Sequence, residues 1–256
     1  MTIKAYAKVN IFLKIVGKRD NYHEILSRFM LVDDLYDTLH VRAKTTQDYL
    51  ELHGDFGCES EQNTIYKAVM ELKNAGFSDA VDSFCAKNSL HVNKNIPSFA
   101  GLGGGSSDAA ATLLLLCKYL HVSLCEEELM AIGARVGADV PFFLSGYKSA
   151  NVSGVGEIVE ECNEESLPLE ICTPNIQCDT PKVYQAFRQQ YKIEPDIAKK
   201  MTHMRSEQLL QNYDAQMLND LLNAALSVYP KLSAYQKEGW FFSGSGSSFF
   251  KVKYNG

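Results

Sequence analysis

The sequence predicts an α+β protein, and three stretches carry that prediction. They are a strand-period run at the N-terminus, a glycine-serine loop that enters an apolar helix mid-chain, and two apolar strands around a second glycine-serine loop near the C-terminus. In IKAYAKVNIFLKI every odd position from Ile3 to Ile15 is apolar, while the even positions hold Lys4, Tyr6, Lys8, Asn10, Phe12 and Lys14. A period of two is that of one or two strands in a half-buried sheet. Lys8 and Asn10 therefore share a face, where Lys8 reads equally as a solvated strand lysine or as a functional one.

The middle stretch, PSFAGLGGGSSDAAATLLLL from Pro97, is the one around which the chain is organised. Clustered glycines allow positive φ and close approach of the backbone to a bound group. Ser106, Ser107 and Asp108 are residue types that start helices. Amide hydrogens of the loop and of the first helical turn then face one concavity, reinforced by the helix dipole, which makes a phosphate cradle. Two better-known glycine loops fail here: no glycine is followed by Lys and then Ser or Thr, and Ser106 stands where G-x-G-x-x-G wants its third glycine. A flexible linker would not run straight into a helix too apolar to sit outside a core.

The remaining elements follow in order. The polar turn GKRDNYHEIL ends in Tyr22 and His23, a pair that reads as surface packing or as a ligand site, and an apolar stretch follows over 29–39. A strand is expected over 49–53. Asn63 looks like the N-cap of a helix through residue 73, with Gly76 just beyond its end, and a further strand is expected over 82–93. After the central helix, Ser123-Leu-Cys-Glu126 reads as a capping box for a helix through residue 135, ended by Gly137. Asp139 precedes an apolar strand expected over 140–144, as a turn residue or as a carboxylate at a pocket edge. Two short strands follow in SGYKSANVSGVGE, then a strand over 169–173. Thr180-Pro181 is read as an N-cap and N1 pair opening a helix through residue 191, and one helix is expected over 214–229, before Pro230. The loop at 244–248 is a hairpin turn or a second phosphate-facing backbone.

Composition narrows the function. The chain has 256 residues, enough for one large domain or two smaller ones, and a formal charge of −6 that argues against a general nucleic-acid or anionic-membrane binder. Phosphate recognition is then local and the ligand small. Seven cysteines with no C-x-x-C suggest neither a zinc knuckle nor a disulfide framework. No apolar run is long enough to span a bilayer and the N-terminus has no secretory core, so a cytoplasmic setting is expected.

Three stretches in the right order, AKVNIFL, P-x-x-x-GLGGGSSDAA and the late GSGSS, resemble the kinase superfamily named for galactokinase, homoserine kinase, mevalonate kinase and phosphomevalonate kinase. Tyr22-His23-Glu24 and GADVPFFL bring the likeness closest to the branch whose acceptor is 4-diphosphocytidyl-2-C-methyl-D-erythritol, in the non-mevalonate isoprenoid pathway. Asn21, Phe99 and Ser247-Ser248 depart from the pattern of that branch. The resemblance implies two lobes, an N-terminal ATP-binding lobe over 1–150 and a smaller C-terminal lobe over 151–256, with the active site in the cleft between them. It implies ATP, with Mg²⁺, on loop residues Pro97, Ser98, Phe99, Ala100, Gly101, Leu102, Gly103, Gly104, Gly105, Ser106 and Ser107, with Asn63 and Lys94 near the nucleoside.

The same resemblance makes Asp139 the general base and Lys8 the residue that favours deprotonation of the acceptor hydroxyl and stabilises charge on the transferring phosphoryl group. Tyr22 and Tyr184 would sandwich the cytosine, His23 would hydrogen-bond its polar edge, and Asn10 would help hold the acceptor. Tyr184 could equally be core. Ser107 is the nearest candidate for a metal-facing hydroxyl. The rival readings are a sister kinase for another alcohol such as homoserine or a mevalonate derivative, a sensor that has lost catalysis, and a dinucleotide oxidoreductase.

Overall fold

The computed structural model describes every residue except 21, 191, 192, 194 and 254–256. Asn21 and the expected helix end at Tyr191 lie outside the described residues. The chain divides into two compact units, each assembled from separate stretches: Met1–Ala7, Asp34–Ser98 and Gly104–Gly146 form one, and Lys8–Asp33, Phe99–Gly103 and Tyr147–Gly256 the other. The two sets of stretches interleave along the chain. The physical reason is the length of the first two strands, β1 (Thr2–Arg19) and β2 (Tyr22–Ala43), which each contribute to both units.

In the first unit, residues 38–43 of β2 pair antiparallel with β4 (Asn88–Asn93), and β3 (Glu51–His53) lies parallel to β4. Five helices complete it: α1 (Thr64–Leu72), α2 (Ser78–Lys87), α3 (Gly104–Leu120), α4 (Glu126–Val136) and α5 (Val140–Ser145). Leu39, Ile65, Val69, Phe84, Leu90, Leu113, Leu116 and Ile132 meet in one core. α3 buries Ala109 to Leu113 without interruption, as its all-round apolar sequence requires. It begins at Gly104, so Ser106, Ser107 and Asp108 lie within it, the two serines in its first turn, and do not precede it.

Three expectations for this unit are corrected. Residues 82–87 belong to α2 and the strand starts only at Asn88; Val81, Phe84 and Cys85, spaced three and one apart, are the buried face of a helix entered after Gly76 (φ 104°). The cap of α4 is Cys125, whose N–H donates to the Glu128 carboxylate at 2.9 Å, two residues beyond the expected Ser123. Residues 140–145 are helix α5, with Pro141 in the first turn, where a missing N–H costs nothing.

In the second unit, residues 25–30 of β2 pair with β5 (Ser149–Gly154), and β5 with β6 (Ile158–Glu161). A separate three-stranded sheet has β9 (Phe249–Val252) between β7 (Leu169–Cys172) and β8 (Phe241–Phe242). The β8–β9 hairpin carries the second glycine-serine loop. Helices α6 (Thr180–Gln190), α7 (Pro195–Thr202), α8 (Ser206–Asn212), α9 (Ala215–Leu218) and α10 (Leu221–Val228) follow in order. The part of β1 in this unit is not half-buried as its alternation suggests: from Lys8 to Ile15 the even positions are buried too.

Two helix boundaries also differ. The single helix expected over 214–229 breaks at Asn219, whose side-chain amide donates at 3.0 Å to the carbonyls of Phe242 and Gly244, while its Oδ1 accepts from Leu221 N–H. The cap of α6 is Asp179, which accepts from Lys182 N–H at 3.0 Å; Thr180 instead pairs its hydroxyl with Ser245 at 2.7 Å. Arg28, fully buried, donates to the carbonyls of Thr202, the last residue of α7, and of Met204 just beyond it, and to Asn151 Oδ1 at 3.0 Å. These carbonyls are left without helical partners, so a guanidinium with five donors supports them well. Among the described residues no helix is long and apolar enough to cross a membrane.

Candidate active site

In the second unit the polar face of β1 is tied to the first half of the glycine loop. Lys8 is buried, its Nζ donating to Asn10 Oδ1 at 2.7 Å and to the Gly101 carbonyl at 3.4 Å, and it lies 4.4 Å from the Phe29 ring centroid. Lys8 N–H donates to the Leu102 carbonyl at 2.9 Å, so the backbone fixes the same contact. Asn10 in turn donates to Ser27 Oγ at 2.9 Å. The strand alternation that puts Lys8 and Asn10 on one face thus brings them into direct contact, and the solvated-lysine reading fails on burial. Ser27 was not singled out from the sequence, because a lone serine in an apolar strand carries no signal.

The second glycine-serine loop packs against the first. Ser243 Oγ donates to the Gly101 carbonyl at 2.9 Å, and Ser248 N–H donates to the Ala100 carbonyl at 3.0 Å. Gly101 has φ 75°, and a Cβ there would meet the Ser243 carbonyl oxygen at 2.2 Å. Glycine is therefore required at 101 on conformation and on space together. Phe99 also sits in the left-handed region, at φ 55°, with its ring exposed. Pro97 and Ser98, beside it in sequence, are exposed, whereas Ala100 and Leu102 are buried.

In the first unit the start of α3 is held by α1 and by the segment after β4. Asn63 caps α1 by accepting from Ile65 N–H at 2.9 Å, and the next residue, Thr64, donates its hydroxyl to the Gly105 carbonyl at 2.6 Å. A Cβ on Gly104 would meet Ile96 Cγ2 at 2.9 Å and Lys94 Nζ at 3.6 Å. Lys94 donates to Asp108 Oδ2 at 2.6 Å and to Asp37, both buried. Asp37 also accepts from Ile96 N–H at 2.8 Å. The structure thus brings together Asn63, Lys94, Gly104 and Gly105, which the resemblance groups around a nucleotide. Asp37 and Asp108, which hold Lys94, were missed, because partners 57 and 14 residues away leave no local pattern.

The electrostatics of this cluster follow from its count of charges. Burial pushes the Asp108 carboxyl up to about 7, opposed by Lys94 and reinforced by Asp37. Burial works against charge on Lys94, but Asp108 and Asp37 outweigh it and raise the ammonium above its usual value. One cation between two carboxylates carries a net negative charge when all are ionised, and low dielectric favours keeping one proton. Asp108 Oδ1 is the one buried side-chain polar atom among the described residues without a hydrogen-bond partner.

Asp139 stands at the N-cap position of α5 but does not cap it with its side chain. Two residues earlier is Gly137; a Cβ there would lie 3.9 Å from Ser106 Oγ. The absent side chain leaves space beside that hydroxyl. The four amides of the first turn of α3, at 104–107, have no acceptor within the helix, and the helix dipole makes them a site for negative charge.

His23 and Tyr184 come together in the second unit, with ring centroids 5.2 Å apart and planes tilted by 32°, and Phe187 stands edge-on to His23 at 6.0 Å. Tyr184 is partly buried against the core of Val183, Phe187 and Leu222. Tyr22 is 68 % exposed. Burial, then the positive charges of Arg188 and Lys18, lower the His23 imidazole below its usual value, so the ring is neutral at pH 7.

Residues 63–147 match the family described as GHMP kinases N terminal domain. A 4-diphosphocytidyl-2-C-methyl-D-erythritol kinase from Sulfurimonas denitrificans is 49% identical over 255 residues, 98% of this chain and 96% of that protein. One of the same name from Helicobacter pylori is 42% identical, with coverage of 98% and 96%. Among solved structures, that of a 4-(cytidine 5'-diphospho)-2C-methyl-D-erythritol kinase superposes with a TM-score of 0.73 at 30% identity, covering 98% of this chain and 90% of the other. A mevalonate kinase shares the fold alone, at a TM-score of 0.64 and 13% identity over 98% and 91%. Identity of this order from end to end shows that the chain belongs to the family of 4-diphosphocytidyl-2-C-methyl-D-erythritol kinases.

Proposed function

We propose that this chain transfers the γ-phosphoryl group of ATP to the 2-hydroxyl of 4-diphosphocytidyl-2-C-methyl-D-erythritol, in the non-mevalonate route to isoprenoid precursors. The observation that carries the reading is the buried Lys8, held 2.7 Å from Asn10 and against the carbonyl of Gly101 in the glycine loop. An ammonium taken out of water and fixed beside a phosphate loop is costly unless negative charge arrives there.

In this reading the amides of 101–107 take the phosphates of ATP, with Asn63 and Lys94 toward the nucleoside. Asp139 accepts the proton of the tertiary hydroxyl as its oxygen bonds to the γ-phosphorus and the bond to the β-phosphate oxygen breaks, releasing ADP. Lys8 offsets the charge that develops on the transferring group, and Asn10 holds the ammonium and the acceptor in register. Mg²⁺ would offset charge on the β- and γ-phosphates. Ser106 and Ser107 are hard-oxygen donors that suit it, and the space left by Gly137 beside Ser106 Oγ supports that assignment. The His23–Tyr184 pair forms one wall of the cytosine site, and Tyr22 offers an exposed ring to the other.

The test is ATP consumption with the diphosphocytidyl alcohol, using mevalonate and homoserine as controls. Turnover of the cytidine compound alone supports the reading. Preference for either control would move the chain to a sister kinase.

A further inference from the structure

Glu51, His53 and His91 take no part in the phosphotransfer reading, yet they converge on one face of the β3–β4 pair. In the parallel register Glu51 lies beside Ser89 and His53 beside His91. The two imidazoles stack with centroids 4.2 Å apart and planes within 14°. Glu51 Oε1 is 2.7 Å from His53 Nε2, and Ser89 Oγ is 3.1 Å from His91 Nε2. One potential ligand atom from each of Glu51, His53 and His91 lies within 4.8 Å of the others.

Glu51 is fixed as ligands are. Its buried carboxylate accepts from the Thr45 and Thr46 amides, each at 2.7 Å, and from the Thr45 hydroxyl at 2.8 Å. Two imidazoles and an ionised carboxylate are the donor set of borderline divalent ions, whereas Mg²⁺ and Ca²⁺ favour oxygen alone. Ser89 and Thr45 supply the outer hydrogen bonds that orient such ligands.

We propose that Glu51, His53 and His91 form a binding site for one divalent transition ion of the Zn²⁺ class, with water completing the coordination. Ligand atoms about 2.1 Å from one tetrahedral ion lie roughly 3.4 Å apart, so the Glu51–His53 pair, at 2.7 Å, must open slightly while any wider pair closes by up to about 1.4 Å. His53, whose side chain is 47% exposed, has room to make that move. Glu51 Oε1 exchanges its contact with His53 for the ion, and any proton on the ligating nitrogens is released to solvent. Arg42, opposite Ser89 on β2, opposes a bound cation and lowers its affinity.

The experiment uses the full chain, stripped with chelator and free of nucleotide and acceptor, so its outcome is separate from the kinase reading. Co²⁺ is titrated by visible absorption and Zn²⁺ by calorimetry. One ion per chain is expected, without a thiolate charge-transfer band and with binding that weakens as the pH falls from 7.5 to 5.5. His53→Ala and His91→Ala should each weaken binding about tenfold or more. Cys58→Ser and Cys125→Ser, which remove exposed thiols, should leave it unchanged. Lack of saturable binding, wild-type affinity in both histidine variants, or loss of binding in either cysteine variant would overturn the proposal.

Discussion

Lys94 Nζ donates to Asp108 Oδ2 at 2.6 Å, while the other oxygen of the same carboxylate, just beyond the first turn of α3, is buried with no partner. The folded chain therefore keeps a proton on Asp108 to about pH 7 that an unfolded chain releases near 3.9. Between these values the native state binds more protons than the unfolded one, so the free energy of unfolding falls as pH rises. Asp108→Asn cannot ionise and should flatten that slope. Scanning calorimetry at pH 5 and pH 8 should show a Tm difference smaller by about 2–4 °C or more than in the parent chain. An unchanged difference would mean the carboxyl titrates normally.

Lys8→Met keeps most of the apolar stem against Phe29 and removes the ammonium that Asn10 holds. A fall in kcat on the order of 10²–10³ is expected, as for loss of one charge-stabilising donor, with the Km for ATP little changed. Lys4→Met is the control from the same strand: Lys4 is exposed, sits 4.0 Å over the Tyr36 ring and should affect kcat by less than twofold. Equal kinetics for the two variants would remove Lys8 from the chemistry.

Asp139→Asn preserves size at a position whose side chain does not cap α5, so the helix should survive. Loss of a general base predicts a drop in kcat of about 10²–10⁴ with ATP binding intact. Steady-state kinetics and nucleotide calorimetry together check this. Activity within threefold of the parent would leave Asp139 as a turn residue.

The features read correctly from the sequence are those set by local chemistry. The odd–even alternation of 3–15 placed Lys8 and Asn10 side by side, and Asn63 capped the helix it was expected to cap. Where periods of two and 3.6 compete over a few apolar residues, the sequence is ambiguous. Residues 140–145 and 82–87 fall in that class, and both are helical. Asn219 breaks a continuous helical pattern because it serves the carbonyls of Phe242 and Gly244, a demand that exists only once the chain has folded. The hold of Asp37 on Lys94 and of Arg28 on the carbonyls at the end of α7 is equally tertiary.

Gly101 and Gly104 are both loop glycines, but they are required for different reasons. At Gly101 a Cβ meets backbone, the Ser243 carbonyl oxygen at 2.2 Å, and φ is positive. At Gly104 it meets the Ile96 side chain at 2.9 Å and φ is not in the left-handed region. Gly101→Ala should therefore displace the loop, lowering Tm and weakening ATP binding about tenfold or more, since at that position alanine cannot adopt the native backbone without strain. Gly104→Ala should be milder in both, with Ile96 rotating aside. A reversed order in differential scanning fluorimetry with and without ATP would contradict the packing argument.

His23 and Tyr184 form the contact on which acceptor specificity is predicted to rest. A neutral imidazole has one donor and one acceptor nitrogen, which suits the mixed polar edge of cytosine, and burial keeps it neutral at pH 7. His23→Ala should raise the Km for the diphosphocytidyl alcohol and leave the Km for ATP nearly unchanged. Base stacking on an aromatic ring is worth about 1–3 kcal/mol in single-strand binders. Tyr184→Ala and Tyr22→Ala should each weaken acceptor binding roughly tenfold, and Tyr22→Phe, which keeps the ring, should be mild. The two tyrosines differ in a way that separates contact from packing: Tyr184 is partly buried against the core, so its loss should also lower Tm, whereas Tyr22 is exposed and its loss should not. CMP should compete with the acceptor. If CMP fails to compete at millimolar concentration while ATP still binds, the His23–Tyr184 pair is packing alone and the acceptor is a different alcohol.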